Sequence, residues 1–327
     1  MQTVLTSPDP SAAIEEELEA HRRGLTGYCY RMLGSGSEAE DAVQETMVRA
    51  WRASDRLEER AALKAWLYRI ASNVCFDMLQ GPQRRAMAMD LGPASPAASA
   101  LGTGLPDHAW VQPIADARIA PPEADPAEVA ASRETLRLAF VAALQHLPPR
   151  QRAVLILREV LRWQASEVAE LLETSVASVN SALQRGRATL EALDLDATTG
   201  PATVGEEQQE LLARYVEAFE RYDIASLVTL LREDASFSMP PFPLWIQGPA
   251  EVHDFMLGTG IGCKGSRLLV TSANGGPAVG IYHPVDDGYE PWAIVVLELS
   301  DGVIAGLHHF LYPELFAEFG LPPRLER

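Results

Sequence analysis

A long interruption of the helical pattern limits what this chain can fold into. From Gly81 to Pro126 the sequence is rich in proline, alanine, glycine and serine and shows no sustained period. A second, shorter break follows between Asp196 and Pro201. These breaks predict three units, at 12–81, 132–195 and 206–327, joined by a flexible linker at 82–131 and a short linker at 196–205.

The three units differ in the spacing of their apolar side chains. The first two show the three-to-four-residue spacing of amphipathic helices. In the third, helices are predicted at 207–221, 224–232 and 250–257, and strands at 236–239, 267–272, 278–282, 292–299 and 303–311. The predicted fold is therefore multidomain, with two all-α domains followed by an α+β domain.

The charge of the chain narrows its function. The sequence has 27 Lys and Arg residues against 45 Asp and Glu residues, which gives a formal net charge of -18. Because neutralised phosphates supply most non-specific affinity for DNA, this charge argues against a protein that grips bare DNA without a partner. The chain also lacks an apolar run near the roughly 20 residues that cross a bilayer, and it begins without the pattern of a signal peptide. We therefore expect a cytoplasmic protein that makes no membrane contact.

The three cysteines, Cys29, Cys75 and Cys263, are far apart in the sequence. They form no CxxC pair and have no histidine at a spacing typical of a zinc site. We expect buried free thiols, no metal and no cofactor.

Two amphipathic helices are predicted in the first unit. Ser37 and Glu40 have the spacing of a capping box, which would begin the first helix. Its polar face carries Asp41, Gln44, Glu45 and Arg49. The second helix is predicted to expose Lys64, Arg69, Ser72, Asn73 and Asp77. By periodicity alone, an ordinary solvated surface is the more frequent explanation of such faces.

The second unit has the pattern of a helix-turn-helix. Pro148 and Pro149 separate two helices, and a short helix at 165–172 precedes a turn and a last helix from Ser175, a predicted N-cap, to Ala192. Its inward residues are predicted to be Val176, Val179 and Leu183. Its outward residues, which are of types that read DNA grooves, are predicted to be Ser178, Asn180, Ser181, Gln184, Arg185 and Arg187. No carboxylate before Glu191 is expected near Arg185 and Arg187. The sequence offers no explanation for Gly186, which is unfavourable inside a helix. By periodicity alone, a plain helical bundle fits this unit about as well as a helix-turn-helix does.

The sequence motifs of the first two units resemble those of a known family. The stretches 39–46 (AEDAVQET), 49–51 (RAW) and 65–77 (AWLYRIASNVCFD) resemble region two of extracytoplasmic-function sigma factors. The stretches 147–155 (LPPRQRAVL), 166–172 (SEVAELL) and 175–187 (SVASVNSALQRGR) resemble region four of the same family. The resemblance implies a promoter-specificity subunit whose partners are core RNA polymerase and promoter DNA.

The same resemblance assigns roles to residues of this chain. Core polymerase would be bound by Asp41, Gln44, Glu45 and Arg49. The minus-ten element, as single-stranded bases, would be met by Lys64, Trp66, Arg69, Asn73 and Asp77. The minus-thirty-five element, as duplex, would be read by Ser175, Ser178, Asn180, Ser181, Gln184, Arg185 and Arg187. The linker acids Asp107, Asp116, Glu123 and Asp125 would thread the polymerase channel or belong to a simple tether.

The third unit resembles the SnoaL-like branch of the nuclear-transport-factor-two-like superfamily. The stretch 237–248 (FSMPPFPLWIQG) is similar to that of sigma factors that carry such a domain. The resemblance implies a cone-like α+β fold around an apolar pocket for a small molecule. The candidate pocket residues are Phe219, Trp245, His253, Trp292 and His308, although aromatic residues in a small domain more often belong to the core. Because no acid/base pair stands at a family-matched position, we predict no enzyme activity.

Three functions remain open from the sequence. The first is a sigma factor modulated by its own C-terminal domain. The second is a DNA-tethered enzyme whose third domain turns over a small molecule. The third is a repressor that binds DNA without polymerase, and the net charge of -18 counts against it.

Overall fold

The computed structural model describes residues 10–54, 62–80, 85–119, 133–193 and 206–327. The predicted linker at 196–205 and the linker acids Glu123 and Asp125 lie outside the described residues. The chain divides into two compact units. Unit 1 contains Met1–Pro82, Ile119–Pro121 and Leu147–Thr189, and unit 2 contains Gln83–Arg118, Pro122–His146 and Leu190–Arg327.

Unit 1 begins with four helices. They are α1 (Pro10–Glu19), α2 (Arg22–Leu33), α3 (Gly36–Arg52) and α4 (Leu63–Met78). Their shared core is apolar and includes the fully buried side chains of Leu25, Tyr28, Met32 and Leu67. The thiols of Cys29 on α2 and Cys75 on α4 are free and buried, as is that of Cys263 in unit 2, which confirms the prediction of buried free thiols.

The start of α3 differs from the prediction. Gly34 has a left-handed backbone with φ of 74° and ends α2, so that Ser35 is the first extended residue and becomes the N-cap. The Ser35 hydroxyl accepts a hydrogen bond from the Glu38 amide at 3.4 Å. The predicted capping box of Ser37 and Glu40 was therefore wrong, because it placed the cap two residues too late.

The helix-turn-helix is present in unit 1. After α5 (Ala88–Leu91) and α6 (Leu138–Leu144), which belong to unit 2, the chain forms α7 (Pro149–Leu155), a π-helical turn (Ile156–Val160), α8 (Ala165–Leu171) and α9 (Val176–Ala192). Pro149 occupies the first turn of α7, and the Ser175 hydroxyl accepts the Ser178 amide at 3.1 Å, as predicted. Val179 and Leu183 are buried, but Val176 is 44% exposed, so its predicted inward position was wrong. It lies in the first turn of α9, ahead of the part that packs.

Gly186 allows α9 to approach α7 closely. A Cβ atom at this position would lie 3.3 Å from the Leu155 side chain, 3.8 Å from the Leu147 side chain and 3.9 Å from the Gln151 carbonyl oxygen. The close approach offsets the unfavourable helix propensity of glycine, which is about 0.5–1 kcal/mol relative to alanine. The structure thus supplies the reason that the sequence lacked.

Unit 2 is built on one six-stranded sheet. Its strands are β1 (Leu231–Ser238), β2 (Trp245–Gln247), β3 (Arg267–Ala273), β4 (Gly276–Val285), β5 (Gly288–Ser300) and β6 (Val303–Phe310). Their order is β2-β1-β6-β5-β4-β3, with β1 parallel to β6 and all other pairs antiparallel. The predicted helix at 224–232 was too long, because the chain enters β1 at Leu231, and β2 was missed because it has only three residues.

Two hairpins of the sheet turn through left-handed residue pairs. Asn274 and Gly275 join β3 to β4 with φ of 55° and 77°, and Asp301 and Gly302 join β5 to β6 with φ of 51° and 77°. Positive φ at both central residues is the geometry that Asn-Gly and Asp-Gly sequences favour. The side chain of Asn274 is consequently held at the tip of its hairpin.

One face of the sheet packs on helices. These are α10 (Glu206–Glu220), α11 (Ile224–Val228) and α12 (Pro249–Leu257), and they enclose an apolar cluster that includes Tyr215, Phe219, Phe237, Phe255 and Leu307. The final helix, α13 (Leu315–Glu318), lies against the opposite face, where Phe316 and Leu321 fill the space beside Gly280. The sheet is thus covered on both faces.

The predicted linker contributes to unit 2. Ala115 forms a β-bridge with Ala273, and the Arg118 guanidinium donates to Glu318 at 2.8 Å. Trp110 in the same segment is fully buried. Residues 85–118 therefore belong to the same compact unit as the C-terminal domain, a packing that the composition did not indicate.

We expect Gly186→Val to destabilise unit 1 by about 1–3 kcal/mol, because the branched side chain would crowd Leu155 and the adjacent turn of α7. Chemical denaturation of the full chain measures the change. Ala188→Val is the control, since it places the same β-branched side chain at an exposed position of the same helix. Helix propensity alone would favour Gly186→Val over Ala188→Val, because glycine is a poorer helix former than alanine. Equal stability of the two variants would contradict close packing at Gly186.

Candidate functional site

The acidic face of α3 is exposed. Asp41, Gln44, Glu45 and Arg49 all lie on its solvent side, while Ala42, Val43 and Thr46 face the core. The Arg49 guanidinium pairs with Glu45 at 2.7 Å and lies 3.7 Å from the Asp77 carboxylate on α4. The structure therefore brings the residues assigned to polymerase beside one residue assigned to the minus-ten element.

The face of α4 is only partly free. Asn73 and Asp77 are exposed, but the Lys64 ammonium lies 5.8 Å from the centre of the Trp163 ring, and Trp163 packs on Tyr68 with 5.2 Å between ring centres. The predicted exposure of Ser72 was wrong, because its hydroxyl is buried and hydrogen-bonds the Tyr28 hydroxyl of α2 at 2.7 Å. An open groove of about 560 Å³ separates the two helical segments. It is lined on one side by Lys64, Trp66 and Arg69 and on the other by Trp163, Glu167 and Glu170.

A buried arginine joins the two helical parts of unit 1. The Arg152 guanidinium on α7 donates to the carbonyl oxygen of Met32 on α2 and, at 3.1 Å, to that of Leu147. Its side chain is 4% exposed. Hydrogen bonds to a buried charged group contribute more than neutral ones, so this contact orients the helix-turn-helix against α2.

The outer face of α9 is open to solvent. All seven residues assigned to the minus-thirty-five element are exposed, namely Ser175, Ser178, Asn180, Ser181, Gln184, Arg185 and Arg187. Arg185 donates to the Ser181 hydroxyl at 2.6 Å. Arg187 pairs with Glu159 of the π-helical turn at 2.6 Å, so the expectation that no carboxylate approaches before Glu191 was wrong. The fold brings Glu159 there, although 28 residues separate the two positions.

The five candidate pocket residues do not all meet at one site, although Phe219 and Trp292 share the apolar cluster. Phe219 is buried in the apolar cluster, and Trp292 packs at its edge, where it stacks on His283 with 4.2 Å between ring centres. Trp245 begins β2, and His253 on α12 is partly exposed. His308 lies next to Leu307 on β6, and because successive strand residues face opposite sides, it points away from the cluster that contains Leu307.

Polar side chains on the opposite face of the sheet form a row of contacts that extends to α6. His308 is fully buried and hydrogen-bonds Ser238 at 2.9 Å, and its Nε2 lies 3.4 Å from a Glu298 carboxylate oxygen. Burial alone would raise the pKa of Glu298, but His308, Arg137 and the Ala139 amide outweigh burial and lower that pKa. The ionised Glu298 therefore stabilises the first turn of α6.

The most informative contacts were not predicted at all. The Asn274 side chain accepts the Ile114 amide at 3.1 Å and donates to the Leu136 carbonyl oxygen at 2.7 Å. The Gly275 amide donates to Asp116 at 2.8 Å. The only sequence signal was the Asn-Gly pair, which indicates a hairpin turn but not the segment that it touches.

Within the described ranges, no helix is both long and apolar enough to cross a membrane. The acidic face of α3, the exposed polar face of α9 in a helix-turn-helix and an α+β domain together define a class of protein, a multidomain DNA-binding transcription factor.

Comparison with known proteins specifies the class. The model of Sigma-70 region 2 matches residues 18–85, and that of Sigma-70 region 4 matches residues 137–190. The extracytoplasmic-function RNA polymerase sigma factor SigG of Mycobacterium tuberculosis is 42% identical over 312 residues, which cover 94% of this chain and 83% of that protein. SigJ of the same species is 28% identical over 322 residues, covering 94% of this chain and 95% of SigJ.

A solved structure agrees with the whole fold. The crystal structure of Mycobacterium tuberculosis SigJ matches with a TM-score of 0.60 and 24% identity, over 94% of this chain and all of that one (100%). The chain belongs to the extracytoplasmic-function sigma factors, which direct transcription initiation with RNA polymerase. The predicted fold class, two helical domains followed by a C-terminal α+β domain, is confirmed.

We expect the stability of unit 2 to fall in acid because of His309. Burial, followed by the charge of His308, lowers the pKa of His309 from 6.5 to about 3, so the folded state holds the neutral ring beside Phe237. The stabilisation is complete above the unfolded pKa of 6.5 and is lost as the pH falls towards 3. Between pH 6.5 and about 5 the loss is about 2 kcal/mol.

Calorimetry of the full chain at several pH values tests this expectation. His309→Phe keeps a flat ring beside Phe237 and should reduce the pH dependence. His108→Gln removes an exposed histidine and should leave it unchanged. A pH dependence equal in wild type and His309→Phe would show that another group is responsible.

Proposed function

We propose that this sigma factor binds core polymerase through α3, meets promoter DNA through α4 and α9, and is modulated by its own C-terminal domain. The observation that carries the modulation is the Asn274 hairpin tip, which holds both the linker and the segment before α6. The polymerase and promoter surfaces are carried by the exposure of the polar faces of α3 and α9.

Charge supports the polymerase surface. Asp41 and Glu45 stand on the solvent side of α3, and carboxylates presented in this way complement a basic partner. Arg49 is held between Glu45 and Asp77, which fixes the direction of its guanidinium. An ordered charged surface of this kind suits a specific protein contact better than a mobile one.

Residue chemistry supports the promoter surfaces. Asn180, Gln184 and Arg185 are exposed on the second helix of the helix-turn-helix, where amides and guanidinium groups read base edges in the major groove. On α4, Lys64 and Trp66 offer charge and a stacking surface for unpaired bases. Because Trp163 contacts Lys64, we propose that the helix-turn-helix moves off α4 when the minus-ten element binds.

The net charge supports a need for polymerase. At -18 the chain repels phosphates overall, so the few basic side chains of α4 and α9 are insufficient for tight binding to bare DNA. Core polymerase would supply the missing positive surface. This makes the third possibility, a repressor that acts without polymerase, the weaker one.

The C-terminal domain contacts the elements that a sigma factor must position. Gly275 approaches the backbone of Arg133 so closely that a Cβ atom would lie 2.7 Å from its Cα. Glu298 accepts a hydrogen bond from the Ala139 amide, and Arg118 pairs with Glu318 at 2.8 Å. Linker residues bound in this way are not available to thread a polymerase channel, so release from the domain should change initiation.

A small molecule is the proposed external ligand of this domain. Such a ligand would enter the apolar cluster around Phe219 and Phe255, because this is the face of the sheet that the helices enclose. Its entry would have to rearrange side chains that are 2% exposed in each case.

Run-off transcription with purified core polymerase tests the two surfaces separately. We expect Glu45→Lys to reduce core binding at least about tenfold, since it reverses a charge in the centre of the α3 face. We expect Arg185→Ala to leave core binding unchanged and to weaken recognition of the minus-thirty-five duplex by about 1–3 kcal/mol.

The two variants are controls for each other, and Glu19→Lys makes the same charge change on α1, where the side chain is 61% exposed. If Glu45→Lys and Glu19→Lys bind core equally well, the α3 face is not the polymerase surface. If Arg185→Ala transcribes normally from promoters with altered minus-thirty-five elements as well as intact ones, α9 does not read that element.

Removal of the C-terminal domain before Pro201 should change promoter activity, and Asn274→Ala should produce a change in the same direction. The alanine variant loses both hydrogen bonds to the linker and to the segment before α6. Multi-round transcription by wild type and both variants, at equal holoenzyme concentration, measures the effect.

Asp301→Ala is the matched control for backbone strain. Asp301 has φ of 51°, close to the 55° of Asn274, and also lies first in a two-residue hairpin. An Asp301→Ala protein should transcribe like wild type. If truncation and Asn274→Ala both leave transcription at the wild-type level, the domain does not modulate initiation.

A further inference from the structure

The predicted linker makes a second set of contacts with the C-terminal domain, away from the Asn274 tip. The Ser95 amide donates to the Trp245 carbonyl oxygen at 2.8 Å, and the Trp245 indole donates in return to the Gly92 carbonyl oxygen at 2.9 Å. The Ala97 amide donates to Glu251 at 2.6 Å. Three consecutive parts of the linker are thus held by one edge of the domain.

The contacts continue along the chain. The Leu105 amide donates to the Pro241 carbonyl oxygen at 2.8 Å, and Gly104 lies close enough for a Cβ atom to meet the Pro241 ring at 3.4 Å. We call Pro241, Trp245 and Glu251 the rim. Pro241 lies between β1 and β2, Trp245 begins β2, and Glu251 lies in the first turn of α12.

The rim borders the apolar cluster of the domain. Its neighbours in sequence, Met239 and Leu244, are members of that cluster. Ala97 of the linker is 8% exposed and is itself a member, and Leu101 packs against the cluster from the same segment. The linker therefore completes the core of the C-terminal domain with two of its own side chains.

The composition of the segment fits this position. Residues 92–105 contain no charged side chain, although charged residues make up 22% of the chain. Small residues bring a backbone close to a partner surface, and the amides of Ser95, Ala97 and Leu105 donate to the rim instead of to a regular element. A flexible tether does not require hydrogen bonds to the domain, so these contacts indicate that residues 92–105 bind the rim.

We propose that the rim is a peptide-binding site whose occupant is the chain's own linker, residues 92–105. Backbone amides of the linker supply the hydrogen bonds, and Ala97 and Leu101 supply the apolar contact. A molecule that entered the cluster from this side would displace those two side chains, so occupation by such a molecule and retention of the linker exclude each other.

The proposed modulation gives this site its consequence but is not needed for the site itself. With the linker on the rim, residues 92–105 are fixed to the C-terminal domain. Loss of the rim contacts frees them while the Asn274 tip continues to hold Ile114 and Leu136. The two sets of contacts can therefore be broken one at a time.

Hydrogen exchange of the full chain, read by mass spectrometry, tests the site. In Leu101→Ser, the amides of Ser95, Ala97 and Leu105 should exchange about tenfold faster than in wild type, because weaker docking opens their hydrogen bonds to solvent more often. Leu91→Ser is the matched control, since Leu91 is a linker leucine that is 47% exposed, and it should exchange like wild type.

A second variant makes the test independent of the apolar contact. Trp245→Phe keeps a ring at the rim and loses the indole hydrogen bond to Gly92. It should also accelerate exchange in residues 92–105 while leaving the Ile114 amide protected by Asn274. Unprotected amides at Ser95, Ala97 and Leu105 in the wild-type chain would overturn the proposal.

A dye for apolar surface separates the linker from an external occupant. The fluorescence of 8-anilinonaphthalene-1-sulfonate should rise with Leu101→Ser and stay low with wild type and Leu91→Ser. Equal dye binding by wild type and Leu101→Ser would show that the linker does not close the site and would refute the proposal. Released linker with unchanged transcription would instead refute the modulation and leave the binding site in place.

Discussion

The arrangement of unit 2 depends on the side-chain amide of Asn274. Its oxygen accepts from the linker at Ile114 and its nitrogen donates to Leu136, so one residue fixes two segments that are distant in the chain. A buried amide with both groups satisfied contributes far more than one that has lost a partner, because an unpaired buried polar group costs about 1–3 kcal/mol. The left-handed backbone of the Asn-Gly turn is what presents this side chain.

The surfaces of unit 1 that were assigned to partners differ in how far they are exposed. The faces of α3 and α9 are exposed, whereas Lys64 of α4 lies against Trp163, so the surfaces assigned to polymerase and to the minus-thirty-five element are open while part of the minus-ten surface is covered. With a chain charge of -18, this arrangement supports the proposal that contact with DNA requires a bound partner. The same acidity that weakens DNA binding supplies the carboxylates of the α3 face.

Much of the structure of unit 1 could be predicted from the sequence. Local patterns were sufficient for the helix-turn-helix, the Ser175 cap and the exposure of α9, because each depends on neighbours within a few positions. Prediction failed where a distant residue decides the outcome. Glu159, for example, reaches Arg187 only through the fold. Two other predictions failed although the deciding signal was local. Gly34 ends α2 and makes its neighbour Ser35 the cap of α3, and strand alternation turns His308 away from the side of Leu307.

The family and the two helical surfaces could be identified without a structure, since amphipathic spacing and motif sequences are properties of short stretches. The role of the linker became visible only in the folded protein. Residues 85–118 have the composition of a tether, and no periodicity marks them, because their order comes from hydrogen bonds to Trp245, Glu251 and Asn274, which lie more than a hundred residues away. Interactions over that separation leave no trace in local spacing, and they exist only once the sheet has formed.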